Sequence, residues 1–89
     1  MKKELNKNQV GLLVGCFMAL FHALWSLLVA TGLAQAFLDW IYGLHFLSNP
    51  FVVEPFNLVT AVTLVVVVFI FGYLFGWLFA FLWNKVGKK

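Results

Sequence analysis

The sequence has little charge, no arginine and a single cysteine. Only 10% of its 89 residues are charged and 64% are hydrophobic, whereas a soluble domain is about one quarter charged and about half apolar. A soluble chain of this length has too little interior to hide so much apolar surface. The composition therefore predicts an integral membrane protein. The length argues against several domains, a large catalytic pocket, a multi-helix transporter or a self-contained enzyme.

The other scarcities exclude specific chemistries. Cys16 is the only cysteine, so no intrachain disulfide can form, and we interpret it as a small apolar residue. The net charge of +3 does not indicate nucleic-acid binding, because the basic residues are lysines scattered at the two ends. No metal-ligand spacing, phosphate-binding loop or nucleophile beside a base is present. We therefore predict no metal, cofactor, catalytic residue or soluble substrate.

Charge position predicts topology. The six lysines all lie near the ends of the sequence, and between residues 8 and 84 the only formal charges are Asp39 and Glu54. Lysine next to a membrane span marks its cytoplasmic side, and lysines also favour anionic lipid headgroups. We expect both termini in the cytoplasm, with a bacterial inner membrane as the location. The lysines are Lys2, Lys3, Lys7, Lys85, Lys88 and Lys89.

Two long apolar runs predict an all-α, two-pass membrane hairpin, since about 20 helical residues cross a bilayer core. We expect a basic N-terminus over 1–9, a first span over 10–32, an external loop over 33–54, a second span over 55–84 and a basic tail over 85–89.

Local signals refine this organisation. Thr31 and Gly32 offer a weak point for a bend. The amphipathic pattern over 33–47 predicts an interfacial helix or a bent extension of the first span. Pro55 is typical of a first helical position. The β-branched run over 64–68 should still be helical, because a backbone in lipid must satisfy its own hydrogen bonds.

The first span also has features of a cleavable signal peptide. Two lysines precede the apolar run, and Ala34-Gln35-Ala36 is similar to a cleavage site. The apolar run is longer than such a region normally is, and it contains His22. We therefore expect a retained span.

Small residues recur every four positions in both spans, a pattern that lets helix backbones approach closely. In an antiparallel hairpin the two stripes lie at the same depth, so they face each other within one chain or face copies of it. Five phenylalanines are expected to fill space around them: Phe69, Phe71, Phe75, Phe79 and Phe81. The helix-packing residues are Gly11, Gly15, Ala19, Ala23, Gly72, Gly76 and Ala80.

His22 lies near the middle of the first span, and an ionisable residue there is a candidate functional group. Ser26 lies one turn further on and could share a hydrogen bond with it. Three interpretations of His22 stay open: ligation of haem or a pigment, proton or ion handling, and packing.

The stretch from Gly72 to Asn84, with Gly76, Ala80 and Trp83 between them, resembles the second helix of a family of small bacterial two-helix membrane proteins of unknown function. The glycine-bearing start of the first span is also similar. The resemblance implies a compact hairpin and no particular activity.

Residues suited to helix packing are abundant, and residues that could carry out catalysis or bind a metal are scarce. This balance favours a structural or accessory membrane protein. It would associate with itself or with a larger membrane complex through the small-residue faces. Two alternatives are a holin-like pore former, which is similar in size and topology, and a haem- or pigment-binding subunit using His22.

Overall fold

A computed structural model describes residues 4–87, and within them the fold is helical. The helices in order are α1 (Lys7–Thr31), α2 (Ala34–Leu44) and α3 (Leu58–Val86). No strand occurs in this part of the chain, so the predicted all-α class is confirmed. Four of the six lysines lie outside the described residues, and they are Lys2, Lys3, Lys88 and Lys89.

α1 begins at Lys7, slightly earlier than predicted, because Asn6 caps it. The Asn6 side-chain oxygen accepts a hydrogen bond from the Gln9 N–H at 3.0 Å, which satisfies a donor that a helix start leaves open. The helix ends at Thr31, where Gly32 adopts a left-handed φ of 83°. Glycine is suited to this conformation because it has no Cβ.

α2 spans Ala34–Leu44 and is shorter than the amphipathic helix predicted over 33–47. It stops early because Phe46 adopts a left-handed φ of 62°. The N–H of Leu47 then turns back to the Tyr42 carbonyl at 2.9 Å. This arrangement closes many helix C-termini, but an aromatic residue here holds the position that glycine usually takes.

α3 begins at Leu58, so the prediction of a start at Pro55 is wrong. The Asn57 side-chain oxygen accepts a hydrogen bond from the Thr60 N–H at 3.1 Å. This asparagine cap sets the boundary, and the proline remains in the preceding loop. The β-branched run over 64–68 is helical, as predicted.

The helices form a single layer. The molecule measures 49 × 33 × 15 Å, and its thinnest dimension is close to the diameter of one helix with side chains, about 10–12 Å. α1 and α3 pack against each other, and α2 contacts α1. With 25 and 29 residues, the two long helices extend over about 37 and 43 Å. Both are long and apolar enough to cross a membrane.

A one-layer fold has almost no interior. Among residues 4–87, Ala34 and Ala80 are the buried hydrophobic side chains, and no large side chain is fully buried. Long apolar side chains instead project outward, with Leu13 70% and Phe75 69% exposed. The smallest residues therefore lie at the centre of the molecule, and the large apolar side chains lie on its surface.

Candidate functional site

The two long helices touch backbone to backbone. A Cβ added to Gly72 would lie 2.9 Å from the Cα of Gly15, and one added to Gly76 would lie 2.7 Å from the carbonyl oxygen of Val10. The added Cβ at Gly76 would also lie 2.9 Å from the Cα of Gly11. Gly15 thus lies opposite Gly72 and Gly11 opposite Gly76, which is the register of an antiparallel pair.

The small-residue stripes meet only toward the chain termini. Beyond Gly15 the stripe of α1 is less covered, since Ala19 is half-buried and Ala23 is exposed beside a cavity of about 380 Å³. The structure therefore brings together five of the seven predicted packing residues. The buried ones are Gly11, Gly15, Gly72, Gly76 and Ala80.

Aromatic rings close over the glycines of α1. The ring of Tyr73 covers Gly11, and the ring of Phe69 covers Gly15. The expectation that five phenylalanines fill this space is therefore wrong for four of them. Each of these four is next in sequence to a small residue of α3, so it is turned about 100° away from the contact. Phe71, Phe75, Phe79 and Phe81 are exposed.

Polar side chains join the two ends of the described chain. The Asn84 amide accepts a hydrogen bond from the Leu5 N–H at 2.7 Å and donates one to the Leu5 carbonyl at 2.9 Å. The Tyr73 hydroxyl donates to the Asn8 side-chain oxygen at 2.6 Å. Sequence reasoning missed these contacts. Asn8 and Asn84 stand out as polar residues at the borders of the apolar runs, whereas Tyr73 lies inside one.

His22 bonds to its own helix. Its Nδ1 lies 2.9 Å from the Met18 carbonyl oxygen. Because a carbonyl only accepts, the proton belongs on Nδ1, which leaves Nε2 open. His22 uses the Met18 carbonyl instead of the Ser26 hydroxyl that its spacing allows, and Ser26 lines a cavity further toward the loop. Among residues 4–87, no three His, Cys, Asp or Glu side chains gather as a metal site would require.

A second amide organises the loop end. The Gln35 side chain donates to the Phe51 carbonyl at 3.1 Å and accepts from the Val53 N–H at 2.8 Å. It also donates to Asp39 at 3.2 Å, and Asn49 donates to the same carboxylate oxygen at 2.8 Å. The polar face of α2 thereby holds the segment over 49–53 against itself.

Two cavities lie at the loop end of the two long helices. One, of about 310 Å³, lies between α1, Leu38 of α2, the loop before α3 and α3 itself. The other, of about 380 Å³, lies between the same two long helices. Ser26 and Ala61 line both, so they mark the strip that divides the two.

The chain matches no protein-family model, no curated protein and no solved structure. Three features of the molecule bear on its function: a glycine contact within one chain, an outward apolar surface, and cavities at the loop end.

Proposed function

We propose that this chain is an integral membrane hairpin of the bacterial inner membrane, with both termini in the cytoplasm and α2 at the opposite interface. The observation that carries the proposal is the outward display of apolar side chains. Only 6% of the most apolar window of each long helix is buried inside the molecule. So much exposed apolar surface needs lipid or protein to cover it.

The features of α2 support its interfacial placement. Its polar side chains Gln35 and Asp39 face the loop, and large apolar side chains of the helix face outward, with Trp40 59% and Leu44 56% exposed. Tryptophan favours the headgroup level of a bilayer, and a short amphipathic helix can lie in that plane.

We further propose a structural or accessory role, in which the hairpin associates with copies of itself or with a larger membrane complex. Membership of the small two-helix family that residues 72–84 resemble is part of this proposal. The glycines contact each other within one chain, so they are already occupied. Association would use the outward phenylalanine side of α3, typified by Phe75, rather than the small-residue faces.

Photo-crosslinking in intact membranes tests this role. Benzoyl-phenylalanine at position 75 should give adducts with a second protein chain, because this side chain is 69% exposed. The same probe at position 69, which packs on Gly15, serves as the matched control and should react within the chain. Lipid adducts alone from position 75 would contradict the association.

A pair of terminal reporters tests the topology separately. Fusions at the N-terminus and at the C-terminus should both report the cytoplasm. Reporters found on opposite faces would overturn the hairpin proposal.

A further inference from the structure

The cavity of about 310 Å³ at the loop end is built differently from the outward apolar surface. It has walls from all three helices and from the loop, and Trp25, Leu38 and Leu64 contribute apolar side chains to it. Its volume is at the lower end of the range for ligand sites, about 300–1,000 Å³. Such a site suits one extended hydrocarbon chain.

The polar groups of this cavity can donate hydrogen bonds. Among the described residues, the hydroxyls of Ser26 and Thr60 have no hydrogen-bond partner, although both residues line the cavity. The side-chain oxygen of Asn57 accepts the Thr60 N–H that caps α3. The amide nitrogen of Asn57 is therefore a donor without a partner among the described residues. Ser26 is half-buried, and Asn57 and Thr60 are exposed, so these hydroxyl and amide donors are accessible to a molecule that occupies the cavity. The site therefore suits a ligand that brings oxygen acceptors.

The charge at this end has one sign. Glu54 lines the cavity, and with Asp39 it is one of the two formal charges between residues 8 and 84. The Asp39 carboxylate accepts from Gln35 and Asn49, whereas Glu54 has no partner among the described residues. The rim of the cavity therefore favours a cationic group and disfavours an anionic headgroup.

We infer that this cavity binds one phospholipid whose headgroup carries an ammonium, of the phosphatidylethanolamine class. One acyl chain lies against Trp25 and Leu64, an ester carbonyl accepts hydrogen bonds from Ser26 and Thr60, and the ammonium faces Glu54. The inference rests on the proposed membrane insertion, which places the cavity at the leaflet opposite the cytoplasm.

Quenching of tryptophan fluorescence by lipids with brominated acyl chains tests the site. A variant with W40F, W77F and W83F keeps Trp25 as its one tryptophan. In phosphatidylcholine vesicles, brominated phosphatidylethanolamine should quench Trp25 about two- to fivefold more effectively than brominated phosphatidylglycerol, the range expected for one partly exposed ion pair. Equal quenching by the two lipids would overturn the inference.

Substitutions link this preference to named groups. Glu54→Gln should remove the preference between the two lipids, and Thr60→Val should weaken quenching by phosphatidylethanolamine. Thr63→Val is the matched control, since the Thr63 hydroxyl donates to the Val59 carbonyl of its own helix at 2.7 Å. A preference that survives Glu54→Gln would overturn the assignment of the ammonium.

A second single-tryptophan variant separates this inference from membrane insertion. With W25F, W40F and W83F, Trp77 reports the lysine-bearing end, where Lys7 Nζ lies 5.8 Å from its ring centre. Quenching of Trp77 without lipid selectivity at Trp25 would leave the hairpin in the bilayer and refute only the lipid site. No quenching of either tryptophan would refute both proposals.

Discussion

Gly15 and Gly72 meet where α1 and α3 cross, so closely that a Cβ on Gly72 would lie 2.9 Å from the Cα of Gly15 and 3.2 Å from the Val14 carbonyl oxygen. Both obstacles are backbone atoms, which cannot rotate aside as the end of a side chain can. The close approach of the two helices therefore depends on hydrogen in place of a side chain at this point.

Gly72→Ala should destabilise the hairpin, whereas Gly43→Ala should not. Both changes gain about 1 kcal/mol of helix propensity. Only the first forces a methyl group into backbone, which opposes folding by about 1–3 kcal/mol, because an added Cβ at Gly43 meets nothing within 4 Å. Unfolding by SDS titration in mild detergent measures the difference. Equal stability of the two variants would contradict the close contact.

Asn84→Leu should release the segment before α1. The change removes both hydrogen bonds to Leu5, each worth about 0.5–1.5 kcal/mol, so the Leu5 amide should exchange with solvent about tenfold faster. Amide exchange followed by NMR in detergent micelles checks this. Val86→Leu introduces the same side chain at an exposed position nearby and should leave the rate unchanged. Equal rates in both variants would count against the Asn84 contact.

The sequence was sufficient for the two long helices and for the antiparallel register of their glycines. Two apolar runs with a four-residue spacing of small residues define both. It was insufficient to choose between contact within one chain and contact between copies, since either uses the same faces. In the folded chain Gly11 lies against Gly76, and Gly15 lies against Gly72.

Helix ends and amide contacts were harder to predict for physical reasons. Pro55 and Asn57 both suit a helix start, and the side-chain cap of Asn57 determines the boundary. Asn84 and Gln35 bond to backbone groups, and every residue but proline offers the same backbone groups. The pattern of side chains therefore does not show which backbone groups Asn84 and Gln35 contact.

Gln35→Leu should loosen the loop that lines the cavity of about 310 Å³. The substitution removes the bonds to Phe51 and Val53, so the Val53 amide should exchange about tenfold faster. Gln9→Leu, the same change at an exposed side chain of α1, is the control and should leave Val53 unaffected. Unaltered exchange at Val53 in Gln35→Leu would show that other contacts hold the loop.

Phe46→Gly should stabilise the fold although it removes a large apolar side chain. The Phe46 side chain is 97% exposed, so its loss removes little packing within the chain. Its φ of 62° is left-handed, which opposes folding by about 1–2 kcal/mol for a residue with a Cβ. Part of the relief is offset by the greater freedom of glycine in the unfolded chain. We expect a net gain of about 1 kcal/mol, measured by thermal unfolding in detergent.

Two further variants separate backbone relief from loss of the ring. Phe46→Ala removes the ring but keeps a Cβ in the left-handed conformation, so it should give no such gain. Gly32→Ala is the reverse experiment: it places a Cβ at a φ of 83° with nothing within 4 Å to clash, and it should destabilise by about 1–2 kcal/mol. If Phe46→Ala stabilised as much as Phe46→Gly, the gain would come from removing an exposed ring and not from the backbone.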